Sequence, residues 1–350
     1  MPEDFFKFFE CFINQDIQKT LGCVNLELIG PYDLLLGKLP VLDEKELYLI
    51  HWRFFFDPPE FQAVLKKKNS EYHIGYFRDE PKQKPVFMAS NESSKNCHIT
   101  PMANNIFGAV YLYLQNEKKH SPFTAVLCQK LMNKIKSYAE EHKFSLEEYT
   151  MKKRLSNIVT KSFHGAGIVV PYDKKTQLGY RRLVETDANI KKLFANLQQA
   201  TSQKEKDKIL SDIQPVITYA SIAVDECDFG TGLEVGIDLF CSGLKELEPS
   251  ALSNLTTVYN LLNREAYGSI IQVQNVYAAV LSGFKCRKVS TNPSPNNSVI
   301  PARSSSVKPA FFLFDLGFAK SVKSASIKLK YLSVSCTSWT MFCKKKINWV

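Results

Sequence analysis

Apolar side chains at Phe5, Phe6, Phe8, Phe9 and Phe12 recur at helical spacing, so residues 1–14 predict an amphipathic helix. Residues 23–37 read as a strand followed by the turn Gly30-Pro31-Tyr32-Asp33. Strands and turns alternate to about residue 90. Leu47–Phe56 and Tyr72–Phe77 are predicted strands, and Asp57-Pro58-Pro59 ends the first. The period then lengthens, and Ile106–Gln115 and Phe123–His142 predict helices. Thr160–Pro171 reads as a short strand broken at Gly165-Ala166-Gly167, and residues 173–179 as a polar turn. Two helices are predicted between Thr186 and Ala223, parted near Thr201-Ser202, with Asp187 capping the first. A last helix runs from Leu252 to Ser269 and on to about Leu281, with Gly268 as its weak point.

This pattern predicts an α+β fold: a mixed α/β N-terminal half, with an antiparallel sheet, packed on a mainly helical C-terminal half. The expected division is residues 1–150, residues 151–283 and a tail over 284–350. The first boundary falls inside the basic stretch Met151-Lys152-Lys153-Arg154. Residues 289–309, rich in Ser, Pro and Asn, read as linker, and 310–350 lack sustained periodicity, so the tail is expected to be unstructured.

Charge changes the picture only once it is located. The net charge is +10, but residues 284–350 hold twelve Lys or Arg and a single acid, Asp315. That tail carries +11 and the rest of the chain is near neutral at −1. The basic balance therefore gives no reason for the folded body to bind nucleic acid. Nine cysteines show no CxxC spacing, so no structural zinc or other metal site is expected. No apolar run reaches the roughly 20 residues of a membrane span. Acids and aromatics follow Met1 where a signal peptide has a basic and then an apolar region. The expectation is a reducing compartment with free thiols.

The most informative stretch is Asp225-Glu226-Cys227-Asp228-Phe229-Gly230-Thr231-Gly232-Leu233-Glu234. Two adjacent acids end a helical run and are followed by what reads as a glycine-broken turn. From Ile209 to Leu244 there is no Lys or Arg, yet the segment carries Asp212, Asp225, Glu226, Asp228, Glu234 and Asp238. A run of acids is ordinarily a solvated face. Here the acids alternate with Phe229, Leu233, Val235, Leu239 and Phe240, so the segment is at least half buried. Such a group needs a cation from elsewhere in the fold, a metal or a partner. If Asp225 and Glu226 share the last turn, they diverge by about 100° and suit different tasks. Both also face the unfavourable end of the helix dipole, roughly 0.3–1 kcal/mol each.

Several nucleotide and catalytic signatures are missing. There is no P-loop and no GxSxG elbow. Gly230, Gly232 and Gly236 do not have GxGxxG spacing and follow a helix rather than a strand. The acidic segment lacks the donors of an EF-hand loop. His164, in Phe163-His164-Gly165-Ala166-Gly167, is a candidate catalytic residue, although a hydrogen-bonded structural histidine is the commoner role. Three further motifs read as core aromatics with Arg–Asp pairs locking turns. They are Gly30-Pro31-Tyr32-Asp33, His51-Trp52-Arg53-Phe54-Phe55-Phe56-Asp57-Pro58-Pro59-Glu60-Phe61 and Gly75-Tyr76-Phe77-Arg78-Asp79.

Taken together, these motifs resemble the histone PARylation factor family, accessory proteins of the DNA-damage-activated poly(ADP-ribose) polymerases. The resemblance runs from about Pro2 to about Ile271. It includes Lys95-Asn96-Cys97, Gly179-Tyr180-Arg181, Glu185-Thr186-Asp187, Asp238-Leu239-Phe240-Cys241 and Tyr259-Asn260-Leu261-Leu262. The family's basic N-terminal extension has no counterpart here, and the tail beyond about Ala279 does not look like the family. The resemblance implies a protein that is not an enzyme alone. It implies docking on the polymerase catalytic domain beside NAD, which the polymerase binds, and completion of a composite active site. The acceptor then changes from Asp/Glu to Ser, on histones and on the polymerase itself. By position, Glu226 matches the family's catalytic glutamate and Asp225 the acid that contacts a polymerase histidine. Arg181 matches the arginine beside the glutamate that reaches the ADP-ribose site, with Tyr180 next to it. Asp228 and His164 are weaker candidates. The resemblance also implies a monomer in the nucleus, at chromatin and DNA damage sites, with no cofactor of its own and no sequence-specific nucleic-acid or membrane binding.

The chemistry of the acceptors agrees with that reading. A carboxylate acceptor is already ionised at neutral pH, whereas a serine hydroxyl is a poor nucleophile until its proton is removed. Changing the acceptor therefore calls for a positioned general base, which Glu226 can be. Arg181 can orient it through a charge-assisted fork. Two other readings remain open: an acidic adaptor that only docks, and a free-standing hydrolase of ADP-ribose esters that uses Glu226 with a second acid.

Overall fold

The computed structural model describes residues 1–274 except residues 14, 40, 42–44 and 121. The expectations for the linker, the tail and the helix beyond residue 274 lie outside the described residues. The chain begins with helices α1 (Glu3–Glu10) and α2 (Ile17–Gly22), strand β1 (Leu26–Leu28) and the short helix α3 (Tyr32–Leu35). Four more strands follow: β2 (Phe61–Lys67), β3 (Tyr72–Phe77), β4 (Phe87–Glu92) and β5 (Thr100–Ala103). They form one antiparallel sheet in sequence order, β1-β2-β3-β4-β5. Helices α4 (Ile106–His120) and α5 (Ala125–Glu141) complete this half, and α6 (Lys152–Leu155) opens the segment that leads into the helical one.

The two-residue period of β3 sorts its side chains between two cores. Ile74 and Tyr76 join Phe5, Phe8, Phe107 and Ile135 under α1, α4 and α5. Phe77 packs on the opposite face with Phe61, Phe87, Ile99 and Ala166. Ala166 belongs to the segment that enters the helical half, so the second face of the sheet is where the two halves meet. Gly75 is required there: a Cβ would lie 2.3 Å from the Gln62 carbonyl oxygen, beside the register shift between Ala63 and Leu65.

The helical half contains α7 (Asp187–Gln199), α8 (Gln203–Asp225), α9 (Phe229–Ser242) and α10 (Glu248–Leu261), then a helical stretch over 265–274. Helix α9 is the centre of this half, with eleven buried residues and neighbours α8 and α10. The glycine-broken turn predicted after Asp228 is in fact this helix. Gly232 and Gly236 lie inside it because neighbouring side chains fill the space of a Cβ, Val224 and Val258 at Gly232 and Leu255 at Gly236. The roughly 1 kcal/mol propensity deficit of each glycine is offset by the close packing it permits.

Four other expectations change. Leu47–Phe56 is not a strand but a 3-10 helix over Lys45–Ile50 followed by turns. Its polar side chains are spent on tertiary bonds: His51 and Trp52 both bond Asp33 Oδ2, and Arg53 Nη1 donates to the carbonyls of Pro58, Pro59 and Phe61. Thr160–Pro171 forms no strand, only an isolated bridge between Thr160 and Ile168. The N-cap of α7 is Thr186, whose side chain accepts from the Asn189 amide, so Asp187 is the first helical residue. The helix predicted from Leu252 begins earlier, at Glu248. It breaks at Asn263, which has φ 57°, rather than at Gly268.

Of the acids expected to pair within their turns, Asp79 instead reaches across to the helical half, as does its neighbour Glu80. Arg154 forks onto Asp79 at 2.6 and 2.7 Å, and Arg264 bonds Glu80. The Tyr259 hydroxyl donates to Glu60 at 2.8 Å, and the Tyr267 hydroxyl to the Arg78 carbonyl. The described cysteines, at 11, 23, 97, 128, 227 and 241, are all free thiols.

Candidate functional site

Helix α8 is started by a capping box between Ser202 and Glu205 and ends at Asp225, with Glu226 as C-cap. The Asp228 amide returns to the Ala223 carbonyl at 2.8 Å and the Cys227 amide to Val224 at 3.0 Å. This is a Schellman stop, which puts residue 227 in the left-handed region. Glycine is the usual occupant; here it is Cys227, with φ 68°. A non-glycine residue there costs about 1–2 kcal/mol, and such strain concentrates at functional sites. The stop leaves Asp225, Glu226 and Cys227 exposed on one corner while Asp228 turns inward.

The inward turn of Asp228 builds the site. Its Oδ1 accepts from the Gly179 amide at 2.8 Å and its Oδ2 from Arg181 Nε at 2.6 Å. The Gly230 amide donates back to the Gly179 carbonyl at 2.8 Å. Residue 179 must be glycine: φ is 111°, and a Cβ would lie 2.2 Å from the Pro171 carbonyl oxygen. The Thr231 hydroxyl accepts from the Arg181 amide at 2.9 Å and donates to the Arg181 carbonyl at 2.7 Å. The guanidinium also lies 5.9 Å from the centre of the Tyr219 ring. So held, Arg181 turns Nη2 onto Glu226 Oε2 in a direct ion pair. Its own pKa is raised further by Glu226 first and then by Asp228. Two of the six acids with no local counter-charge, Glu226 and Asp228, thus find one in Arg181, 45 residues before Glu226.

Two more of the six acids are buried one helical turn apart on α9. Thr160 donates to Glu234 Oε1 at 2.5 Å, while Glu234 Oε2 has no partner. Asp238 Oδ1 accepts from the Ser162 hydroxyl at 2.6 Å and the Phe163 amide at 2.8 Å. Burial raises the pKa of both, and that of Asp238 reaches about 8. Asp238 has an ordinary value of 3.8, so between about pH 4 and 8 the folded chain holds a proton there that the unfolded chain has lost. Its contribution to stability therefore falls as pH rises through this window, by on the order of a few kcal/mol. Asp238→Asn mimics the protonated acid. Thermal melts are expected to show little change at pH 5 and a higher Tm than wild type at pH 8.5.

The structure gathers Glu226, Arg181 and Asp228 into one cluster and leaves Asp225 exposed beside it. Tyr180 turns the other way. Burial and then Glu234 raise its phenol, which places it on the α9 side of the strap rather than beside Glu226. His164 is 1% exposed and packs against Phe77, and its Nδ1 accepts from the Ala166 amide at 3.0 Å. Burial and then Arg154 lower its pKa to about 3, so it is neutral and structural in position. Sequence reasoning missed Thr231 and Tyr219 as supports of Arg181. Their only local signal was proximity to the acidic stretch. Neither of two internal cavities reaches Glu226. One lies among apolar residues of α7, α8 and α9, and the other between Glu60, Asp79 and Arg264. Among the described residues, no group of three or more His, Cys, Asp or Glu is placed to hold a metal ion. No described helix is long and apolar enough to cross a membrane.

These features define an α+β protein that displays an arginine-tethered carboxylate at its surface. The family of histone PARylation factor 1 matches residues 1–275. The chain is 39% identical over 283 residues to histone PARylation factor 1 of Bos taurus, covering 78% of this chain and 82% of that protein. It is 41% identical over 284 residues to histone PARylation factor 1 of Danio rerio, covering 78% and 80%. The chain belongs to the histone PARylation factor 1 family.

Proposed function

We propose that this protein is an accessory factor of a poly(ADP-ribose) polymerase. It docks on the polymerase catalytic domain, where the polymerase holds NAD, and supplies Glu226 as general base. Serine then becomes the acceptor of ADP-ribose, on histones and on the polymerase, in the nucleus during the DNA damage response. Asp225 faces the polymerase, and Arg181 meets the ADP-ribose.

One observation carries this reading. Glu226 is 58% exposed, held by a guanidinium that is itself anchored, and lines neither cavity. A positioned carboxylate this exposed, outside both cavities, suits a group that acts in a pocket supplied by another protein. Family membership supports the same partner class. The test combines a DNA-activated polymerase, NAD and a histone-tail peptide, with and without this protein, and mass spectrometry locates the ADP-ribose. Serine-linked product only with both proteins present is the expected result. Binding without any serine product would leave an acidic adaptor, and turnover without the polymerase would point to a hydrolase.

A further inference from the structure

The two carboxylates that hold Arg181 are unlike each other. The Asp228 side chain is 9% exposed and that of Glu226 is 58% exposed. Asp228 spends both oxygens inside the protein, one on the Gly179 amide and one on Arg181 Nε. Glu226 has only Arg181 Nη2 as its side-chain partner among the described hydrogen bonds, and it faces solvent. Solvent and salt weaken the outer contact more than the inner one. The Nε edge of the guanidinium is therefore the fixed edge, and Nη2 is the edge offered outward.

We propose that Asp228 is the positioning residue of this site: it acts through Arg181 to set the place of Glu226 and takes no part in proton transfer. This assignment rests on the accessory-factor reading above and deepens it. The buried acid is connected to the base through a single side chain. Thr231 holds the Arg181 main chain and the Tyr219 ring lies beside its guanidinium, while Asp228 fixes the Nε edge. Without Asp228 the guanidinium keeps Glu226 as its one acid and is free to follow it into solvent. Asp228 also balances the guanidinium charge, so Glu226 is oriented by an arginine whose positive charge is already shared.

Asp228→Asn separates positioning from folding. The amide oxygen of Asn can keep the Gly179 bond, but its amide nitrogen faces Arg181 Nε donor to donor. The strap over 179–181 keeps its Gly230 and Thr231 bonds, while Arg181 loses its anchor. With the DNA-activated polymerase, NAD and a histone-tail peptide, the expected result is a fall of about 100-fold in the maximal rate of serine modification. The concentration of this protein giving half-maximal effect is expected to stay within about threefold. The same substitution in an Arg181→Ala background is expected to add less than threefold, because its effect passes through Arg181. Asp228→Glu, which keeps the charge on a longer arm, is expected to recover part of the lost rate.

A full additional loss in the Arg181→Ala background would overturn the assignment, since Asp228 would then act on its own. So would a Asp228→Asn variant as fast as wild type. If that variant fails to fold, Arg181 Nε–H exchange measured by NMR in the Asp228→Glu variant decides instead: faster exchange than wild type is expected, and an unchanged rate overturns the assignment. Wild type without serine product overturns the accessory-factor reading itself, a result distinct from all of these.

Discussion

Glu226→Gln is expected to lower the rate of serine modification by a factor of about 10²–10⁴ while leaving the partner complex intact, the range for loss of a positioned general base. The substitution removes basicity and little else. Gln has the shape of Glu, and its amide oxygen can still accept from Arg181 Nη2, so the corner at the end of α8 keeps its geometry. Glu226 is exposed and at the C-cap, where the helix dipole disfavours an anion, so the neutral variant is expected to be as stable as wild type or slightly more so. Stability therefore cannot account for a large kinetic loss. Modification of carboxylate acceptors provides the internal control, because an ionised acceptor needs no base. Initial rates on a serine peptide and on the automodified polymerase, measured side by side by mass spectrometry, check this. Equal serine rates for Glu226→Gln and wild type would remove Glu226 from the chemistry and leave the acidic corner as a docking surface.

How far the sequence revealed this site depends on the range of each interaction. Asp225 and Glu226 were legible because an uncompensated pair of acids at a helix end is locally unfavourable and therefore conspicuous. Their counter-charge was not legible from spacing, since Arg181 lies 45 residues before Glu226 and arrives by tertiary folding. Only the family resemblance placed it there. Strand β3 was predicted with its observed ends, because strict alternation between two cores writes itself into the sequence. Leu47–Phe56 misled for the opposite reason: of its aromatics only Phe54 is buried and Phe55 is 61% exposed, while His51 and Trp52 bond Asp33 and Arg53 locks the following turn instead of facing a neighbouring strand. Helix α9 reads as a turn because its glycines have low helix propensity, whereas packing decides its conformation. Its glycines are explained by Val224, Val258 and Leu255 on neighbouring helices, which no local pattern shows. The buried carboxyls Glu234 and Asp238 were visible as acids but not as a pair gripping Thr160 and Ser162, since those partners lie more than 70 residues away.

Arg154→Ala is expected to destabilise the fold by about 3–5 kcal/mol, the range for breaking a buried ion pair from one side. The sequence places Arg154 in a basic stretch that looks like a solvated junction; the structure buries it to 4% exposure. All three nitrogens of its guanidinium donate. Nη1 and Nη2 fork onto Asp79, Nε donates to the Ala166 carbonyl at 2.8 Å, and Nη2 also donates to the Gly167 carbonyl at 3.1 Å. It lies over the rings of Phe77 and Phe87 at 5.4 and 5.3 Å. Truncation leaves Asp79 without its cation, two carbonyls without donors and a void against two aromatic rings, each a destabilising change of its own. Against a typical total of 5–15 kcal/mol, the loss is a large fraction of the stability. It falls where β3 and β4 meet the segment that carries Ala166 and Gly167, so both halves are expected to loosen together. Guanidinium unfolding followed by circular dichroism measures the change. Arg154→Lys restores charge without the fork and is expected to recover less than half of it. Pairing Arg154→Met with Asp79→Asn is expected to cost less than Arg154→Ala alone, because the stranded carboxylate is gone. A loss below about 1 kcal/mol for Arg154→Ala would mean that the pair contributes no more than an exposed salt bridge, and that the apolar contacts of Phe61, Phe77, Phe87 and Ala166, with the Arg264–Glu80 and Tyr259–Glu60 bonds, hold the two halves together.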